Sequence, residues 1–386
     1  MPARQWAGVR SFQRLLLPWI LLLFACRVAA GIDFLQTPAF LSERAAQGLL
    51  LDIVHTGERL VAVGERGHIV YSDDLGRTWM QANVPVYVTL TAVYFASPAI
   101  GWAVGHDGVI LTTRDGGARW SLQLDGYAIN QMVLEQAEAG REAAQQALAV
   151  TVDTDGREQA EIDLDDARFL LDLAREDAQA GPAKPLLDVW FASGTEGFVL
   201  GSYGILLHTV NAGASWQLLS ERLHNPEGFH LNAITRTGTG QLMIAGEAGS
   251  LFRSDDLGQA WTRLESPYEG SFFGLLSHDD SVFVFGLRGH LYRSDDHGGS
   301  WVRIDIDTPV SLAGGVVAGS GDITLVGSAG AVAHSSDSGQ TFELAIRDDL
   351  RAMSAVVEVS DGRLVAVGAG GAWRMDGHGI DQEAED

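Results

Sequence analysis

These 386 residues contain a single cysteine, Cys26, and a single lysine, Lys184. One thiol excludes any internal disulfide, so the fold must be held without covalent cross-links. Basic residues number 26 against 50 acidic ones, a formal charge of -24. A body this acidic repels phosphate backbones and anionic headgroups, which argues against nucleic-acid binding and against direct docking on an anionic membrane. The eleven histidines form no HxH, HxxxH or HExxH pair, and there is no GxSxG elbow or phosphate-binding loop, so no metal and no cofactor are expected. Long apolar runs are scarce as well: Leu15 to Ala25 stands out, and it is too short to span a bilayer comfortably.

That run follows Arg4, Arg10 and Arg14 and precedes small residues ending Val28-Ala29-Ala30, which gives residues 1–30 the form of a secretory signal peptide. Two kinds of processing are open. Cleavage after Ala30 leaves a mature chain without cysteine, whereas lipidation at Cys26 needs a small-residue approach that Phe24 fits poorly. Either route takes the chain out of the cytoplasm, to a periplasmic or lumen-like compartment. Residues 1–30 hold four arginines and no acids, so their removal moves the charge from -24 to -28.

One phrase then recurs: VAVGERGHIVYSDDLGRTW (61–79), WAVGHDGVILTTRDGGARW (102–120), FVLGSYGILLHTVNAGASW (198–216) and MIAGEAGSLFRSDDLGQAW (243–261). A glycine and a closing aromatic keep one separation in Gly64/Trp79, Gly105/Trp120, Gly201/Trp216, Gly246/Trp261, Gly286/Trp301 and Gly327/Phe342, and Gly368 opens a degenerate seventh copy. Successive glycines stand 41, 96, 45, 40, 41 and 41 residues apart. A period near forty with short strands inside it is the signature of propeller blades, so the expected fold is all-β, a seven-bladed β-propeller over residues 31–386. Each copy reads as four strands, in the first LLLDIV, RLVAVG, HIVYS and WMQANV. The second is apolar almost throughout, as a strand buried between neighbouring blades must be. The seventh copy lacks a fourth strand, and residues around Phe34 to Phe40 are expected to supply it and staple the ends of the ring.

The loop before each aromatic has the form Ser/Thr-x-Asp-x-Gly, the Asp-box. Its acids, Asp74, Asp115, Asp256, Asp296 and Asp337, with Asn211 in the remaining copy, can accept backbone N–H groups across their own turns, while the glycine two residues on takes positive φ. Six copies at matched spacing specify fold rather than chemistry, since carboxylates satisfied by their own turns are not free to act.

The interval of 96 contains an insertion, residues 128–181. Gln131 to Leu148 and Ile162 to Ala178 carry apolar residues three and four apart and predict two helices joined by a turn at 152–156, a helical hairpin between blades two and three. Asp153-x-Asp155-Gly156 has the look of a calcium loop, but Thr151 and Ile162 occupy the positions where that loop needs acids, which argues against calcium. Residues 126–185 hold 13 acids and 5 bases, a net of -8.

The insertion joins a fourth strand to the next first strand, so it leaves the propeller on the face that carries the second-to-third-strand turns. Those turns offer Glu65, Arg66, His106, Asp107, Tyr203, Glu247 and Arg288, with His68 and His290 beside them. Mixed charges and an aromatic around a channel mouth suit gripping a polypeptide or a small ligand, and these are the candidate partner-binding residues. A catalytic reading must be weighed too, because sialidases and other glycosidases carry Asp-boxes. Tyr94 and Tyr203 with Arg66, Arg236 and Arg288 could be forced into sialidase roles, but no spacing supports it. No catalytic residue is assigned, and a glycosidase stands as the alternative.

The phrase VAVGERGHIVYSDDLGRTW, the GWAVGHDG of Gly101 to Gly108 and seven such units behind a leader resemble the photosystem II stability/assembly factor family, over residues 49–373 apart from the insertion. The resemblance implies an exported seven-bladed propeller that binds membrane or envelope protein subunits as a non-catalytic assembly chaperone; the chain itself is expected to be a monomer. Two features depart from the photosynthetic members: the long hairpin, and a face where Arg66 and Arg288 are the only clear arginines in place of an arginine-rich patch.

Overall fold

Seven antiparallel meanders follow one another in the computed structural model, six of four strands and a seventh of three. It describes residues 33–376; the leader, Cys26 and the acidic tail from Asp381 lie outside the described residues. Blade one is built from Leu50–His55, Leu60–Gly64, Ile69–Ser72 and Met80–Gln81, and the later blades repeat that plan. The second strand is buried along its whole length in every blade. The ring closes through apolar packing: Leu50, Ile53, Leu60 and Ala62 of blade one share a core with Val365 and Val367 of blade seven. The all-β seven-bladed architecture is therefore as the repeat implies.

The glycine that opens each phrase is there for proximity. A methyl group on Gly64 would overlap the Leu49 carbonyl, and Gly105 and Gly368 stand the same way against Thr89 and Ala352. Backbone thus crosses backbone where one blade's second strand ends, at its own incoming inner strand. The aromatic and glycine of the Asp-box loop face the preceding blade. Trp261 of blade four meets Phe198 of blade three edge-on at 6.4 Å, and Phe342 meets Phe283 at the same separation. Between blades two and three, Trp102 and Phe191 stack with centroids 3.5 Å apart and planes 11° from parallel. Such a buried pair adds roughly 0.5–1.5 kcal/mol beyond its burial.

Two details differ from the sequence reading. Fourth strands are shorter than WMQANV implies, two residues in blades one, three, four and five. A short outer strand leaves little edge for another chain to pair with. The closure also differs, because Phe34–Phe40 does not complete blade seven. The amide of Tyr87 donates to Phe34 O at 2.8 Å and that of Ala39 to Val84 O at 3.1 Å, so this stretch lies along the connection leaving blade one. Its rings explain the preference: Phe34 and Phe40 both pack on Tyr87, at 5.8 and 5.4 Å. Among the described residues blade seven has three strands. The short 3-10 turn Ala45–Gln47 meets its last strand, with Ala45 buried in the core shared by blades seven and one.

The insertion is a helical hairpin, α1 (Gly126–Val150) and α2 (Thr154–Ala180), each longer than the periodicity predicts. Both helices start at an aspartate: Asp125 accepts the Ala128 amide at 3.1 Å and Asp153 the Gly156 amide at 2.7 Å. Asp153 is thus a helix cap, and Asp155-Gly156 belongs to the first turn of α2. At the hairpin's base the Asn130 side-chain amide donates to the carbonyls of Asp177 and Gly181, both at 3.0 Å. Ile129 is buried in the core between blades two and three, which roots the hairpin in the propeller.

Candidate functional site

In each of the first six blades a Gly-x-x-Gly turn links the second and third strands. Its third residue, Arg66, Asp107, Tyr203, Ala248, Arg288 or Ala329, adopts φ between 51° and 58°. Left-handed backbone at a non-glycine residue is uncommon, and here the following glycine is left-handed too. The turn is fastened to the connection running past it: Gly67 N donates to Val88 O at 2.7 Å and His106 N to Thr89 O at 2.8 Å. Turns of neighbouring blades therefore flank the same connections around one mouth of the channel.

The candidate residues divide within that ring. Glu65 faces inward to the backbone, accepting the Leu49 amide at 3.1 Å, and stands 3.7 Å from Arg66. Glu247 accepts the His230 amide at 3.1 Å. His230 joins two turns, its Nδ1 lying 3.2 Å from the Tyr203 amide nitrogen and 3.4 Å from the Glu247 carboxylate. Tyr203 lies against the His230 ring, centroids 5.1 Å apart, and remains 62% exposed. Arg66, His106 and Arg288 are exposed, whereas Asp107 is half-buried. Arg66 and Arg288 belong to blades one and five, so they stand apart around the ring. Burial shifts the His68 and His290 imidazoles down from their ordinary value, helped at His290 by Arg303 and Arg288.

On the opposite face the Asp-box carboxylates are occupied. Asp296 Oδ1 accepts the Ser300 amide and the Ser294 hydroxyl, each at 2.8 Å, and Oδ2 accepts the Ser300 hydroxyl at 2.7 Å. Those bonds, the Ser300 hydroxyl foremost, hold its carboxyl down at about 2. Asp74, Asp115, Asp256 and Asp337 repeat the pattern, and Asn211 Oδ1 accepts the Ser215 amide at 2.9 Å. The residue before the loop glycine is left-handed as well, at Leu75, Ala212, Leu257, His297 and Ser338, which the sequence form alone does not announce.

Between the faces runs a channel of about 500 Å³ lined by the inner strands of all seven blades. Asp52 and Asp188 stand in its wall. Each accepts the next residue's amide and one from the inner strand of the following blade, Val93 for Asp52 and Ile234 for Asp188, both at 2.8 Å. Thr91 and Asn232 make the same kind of bond across other boundaries, donating to Leu186 O at 2.6 Å and Phe272 O at 2.8 Å. Burial pushes both carboxyls up to about 7, and at Asp188 the charge of Asp52 adds to it. Sequence reasoning passed over these two acids, although a lone acid third in each of two first strands, Leu50–His55 and Leu186–Phe191, was a visible signal. Of the two tyrosines weighed for a sialidase role, Tyr94 is committed elsewhere: its hydroxyl donates to Phe191 O at 2.8 Å.

Comparison with known proteins bears out the family resemblance. Residues 175–269 match the family model described as Photosynthesis system II assembly factor YCF48. A curated relative, the Photosystem II assembly lipoprotein Ycf48 of Synechococcus sp. (strain CC9902), is 40% identical over 88 residues, 23% of this chain and 25% of that protein. The chain thus spans about a quarter of the length of the curated relative it matches. Among solved structures, YCF48 bound to D1 peptide superposes with a TM-score of 0.59 at 15% identity, covering 92% of this chain and all of that one. YCF48 from Cyanidioschyzon merolae gives 0.58 at 13% identity over 86% of this chain and 96% of its own. A streptogramin B lyase gives 0.61 at 12% identity, covering 89% and 99%. At such identities the likeness establishes the propeller fold alone, and that fold also carries an enzyme.

Proposed function

We propose that this photosystem II assembly factor-like chain is an exported, non-catalytic scaffold that binds a membrane or envelope protein and assists its assembly or operation through the channel-mouth face. The observation that carries the reading is the division of labour between the faces. Asp-box side chains are bonded within their own turns. The opposite mouth presents Arg66, Tyr203 and Arg288 exposed on six like turns whose backbone is held in a left-handed conformation. Strain of this kind persists where surrounding structure over-determines it, and it fixes the direction of the side chain it carries. The structural neighbour bound to a D1 peptide supports a polypeptide as the ligand class. The family match and the lipoprotein relative support an extracytoplasmic location, soluble or anchored at Cys26.

The test is recovery of one membrane protein from envelope extracts by the purified chain, compared with Arg66→Glu combined with Arg288→Glu. Loss of that partner from the variant supports the face. Undiminished recovery would move the site elsewhere, and turnover on a glycoside panel would replace the scaffold reading with the glycosidase one.

A further inference from the structure

Beside the mouth lies a second concavity, a groove of about 800 Å³ between the hairpin and the connection from blade three to blade four. Its hairpin wall is apolar at helical spacing: Val133, Ala137 and Gly140 on α1, Leu170 and Leu173 on α2. Of these, Val133 also packs against the core between blades two and three, while the α2 leucines stay open. On α2, Ala160, Leu164, Leu171 and Ala174 are buried, whereas Leu170 and Leu173 are 58% and 42% exposed. Across the groove stand Tyr203 and Pro226. An apolar stripe left open to water beside an exposed tyrosine marks a binding surface.

The rim sets the sign of what binds. Asp177, Glu221 and Glu227 border the groove, and Lys184 is the only base among its lining residues. Lys184 is already paired with Asp177 at 2.5 Å, and Glu227 stands 3.6 Å from the Arg263 guanidinium, which leaves Glu221 and the net charge of the hairpin to set the sign. Residues 126–185 as a whole hold 13 acids and 5 bases, a net of -8. A second copy of this chain would bring -8 against -8, and the terminal segment Asp381–Asp386 carries the same negative sign. Anionic lipid is repelled for the same reason. The wall is helical, so it offers no strand edge for an extended peptide to pair with, and a ligand entering an apolar groove must satisfy its own backbone groups. From apolar floor, acidic rim and absent edge together, we infer that the groove receives a basic amphipathic helix of the partner protein, its apolar face against Leu170 and Leu173 and its cations toward Glu221 and Glu227. The inference rests on the reading of the chain as a protein-binding scaffold and adds a second contact to the channel mouth.

The probe is a fluorescent peptide of about 18 residues, some five helical turns, with leucines at i, i+3, i+4 and i+7 and lysines elsewhere. It is titrated into the purified protein and followed by anisotropy and by peptide helicity. A peptide of the same composition with the spacing scrambled, and one with glutamate for lysine, serve as controls. The patterned basic peptide is expected to gain helicity and to bind at least about tenfold more tightly than either control, a margin that one or two buried anchors supply. Leu170→Gln with Leu173→Gln, both at exposed positions, should weaken it by about tenfold. Glu221→Gln with Glu227→Gln should weaken it about threefold or more and flatten its salt dependence. Equal binding of the scrambled peptide, or unchanged affinity in the leucine variant, overturns the groove. Arg66→Glu with Arg288→Glu should not weaken the peptide, since the added negative charge can only favour a cation, which separates the two readings. If that variant loses the partner while the groove variants leave peptide binding intact, only the groove fails; if the peptide binds as expected and no partner is recovered, only the scaffold reading fails.

Discussion

Asp188 reaches across a blade boundary. Its Oδ1 accepts the amide of Val189 at 2.7 Å, and its Oδ2 accepts that of Ile234, on the inner strand of blade four, at 2.8 Å. Asp52 does the same from blade one to Ile53 and Val93. Paired with the threonine and asparagine that span other boundaries, these acids fasten inner strands that share no ladder hydrogen bonds.

A pH dependence follows. Both carboxyls rise from 3.8 to about 7 in the folded chain, burial being the first cause. A group whose folded pKa is raised contributes stability that is complete below its unfolded pKa and is lost as pH climbs through the folded one. The melting temperature should therefore fall by on the order of 10 °C from about pH 4 to about pH 8 and then level off. Scanning calorimetry on Asp52→Asn with Asp188→Asn should show a flattened profile; an undiminished slope would assign the effect to the chain's net charge instead.

The Asp-box gives a prediction on the other side of the pH scale. Asp296→Ala removes an acceptor for the Ser300 amide and for two hydroxyls. The carboxylate is solvent-exposed, so the expected loss is about 1 kcal/mol or less near neutral pH, read from urea midpoints. Its folded pKa is depressed, so that contribution is present above about pH 4 and fades as pH falls toward 2. Partner recovery should not change, whereas loss of partner at full stability would make the Asp-box face the binding face.

The seam between the ends of the ring is testable at one glycine. Gly371 opens the last strand of blade seven with φ +105°, and a methyl group there would overlap the Ala46 carbonyl. Gly371→Ala is expected to cost about 2–4 kcal/mol by forcing the 3-10 turn off the blade. Deleting residues 34–47 should lower the denaturation midpoint as well, since Leu35 and Ala45 are buried. An unchanged midpoint in both would show that the ring closes without this segment.

The repeat made the ring legible in advance. A glycine slot, an Asp-box and an aromatic at fixed separation are local devices, satisfied within one blade or against its neighbour, so their periodicity in sequence becomes periodicity in space. The hairpin was legible for the same reason, since helical spacing of apolar residues is read within a few turns. The closing segment was not. Phe34 and Phe40 were as fit to make a strand as to stack on Tyr87, and only the meeting of distant parts of the chain chose between those outcomes.

The candidate site divides the same way. The turn residues were found because turns repeat, yet sequence could not tell that Glu65 and Glu247 serve the backbone while Arg66, Tyr203 and Arg288 face water. Nor could it tell that Asp52 and Asp188 share one channel, or that Leu170 and Leu173 remain uncovered beside Tyr203. Sequence by itself determined the kind of unit, the number of units and the sign of the charge, because these depend on neighbours along the chain. Tertiary structure decided which polar groups are consumed and which apolar ones are left open, because burial is a property of residues far apart in sequence and adjacent in space.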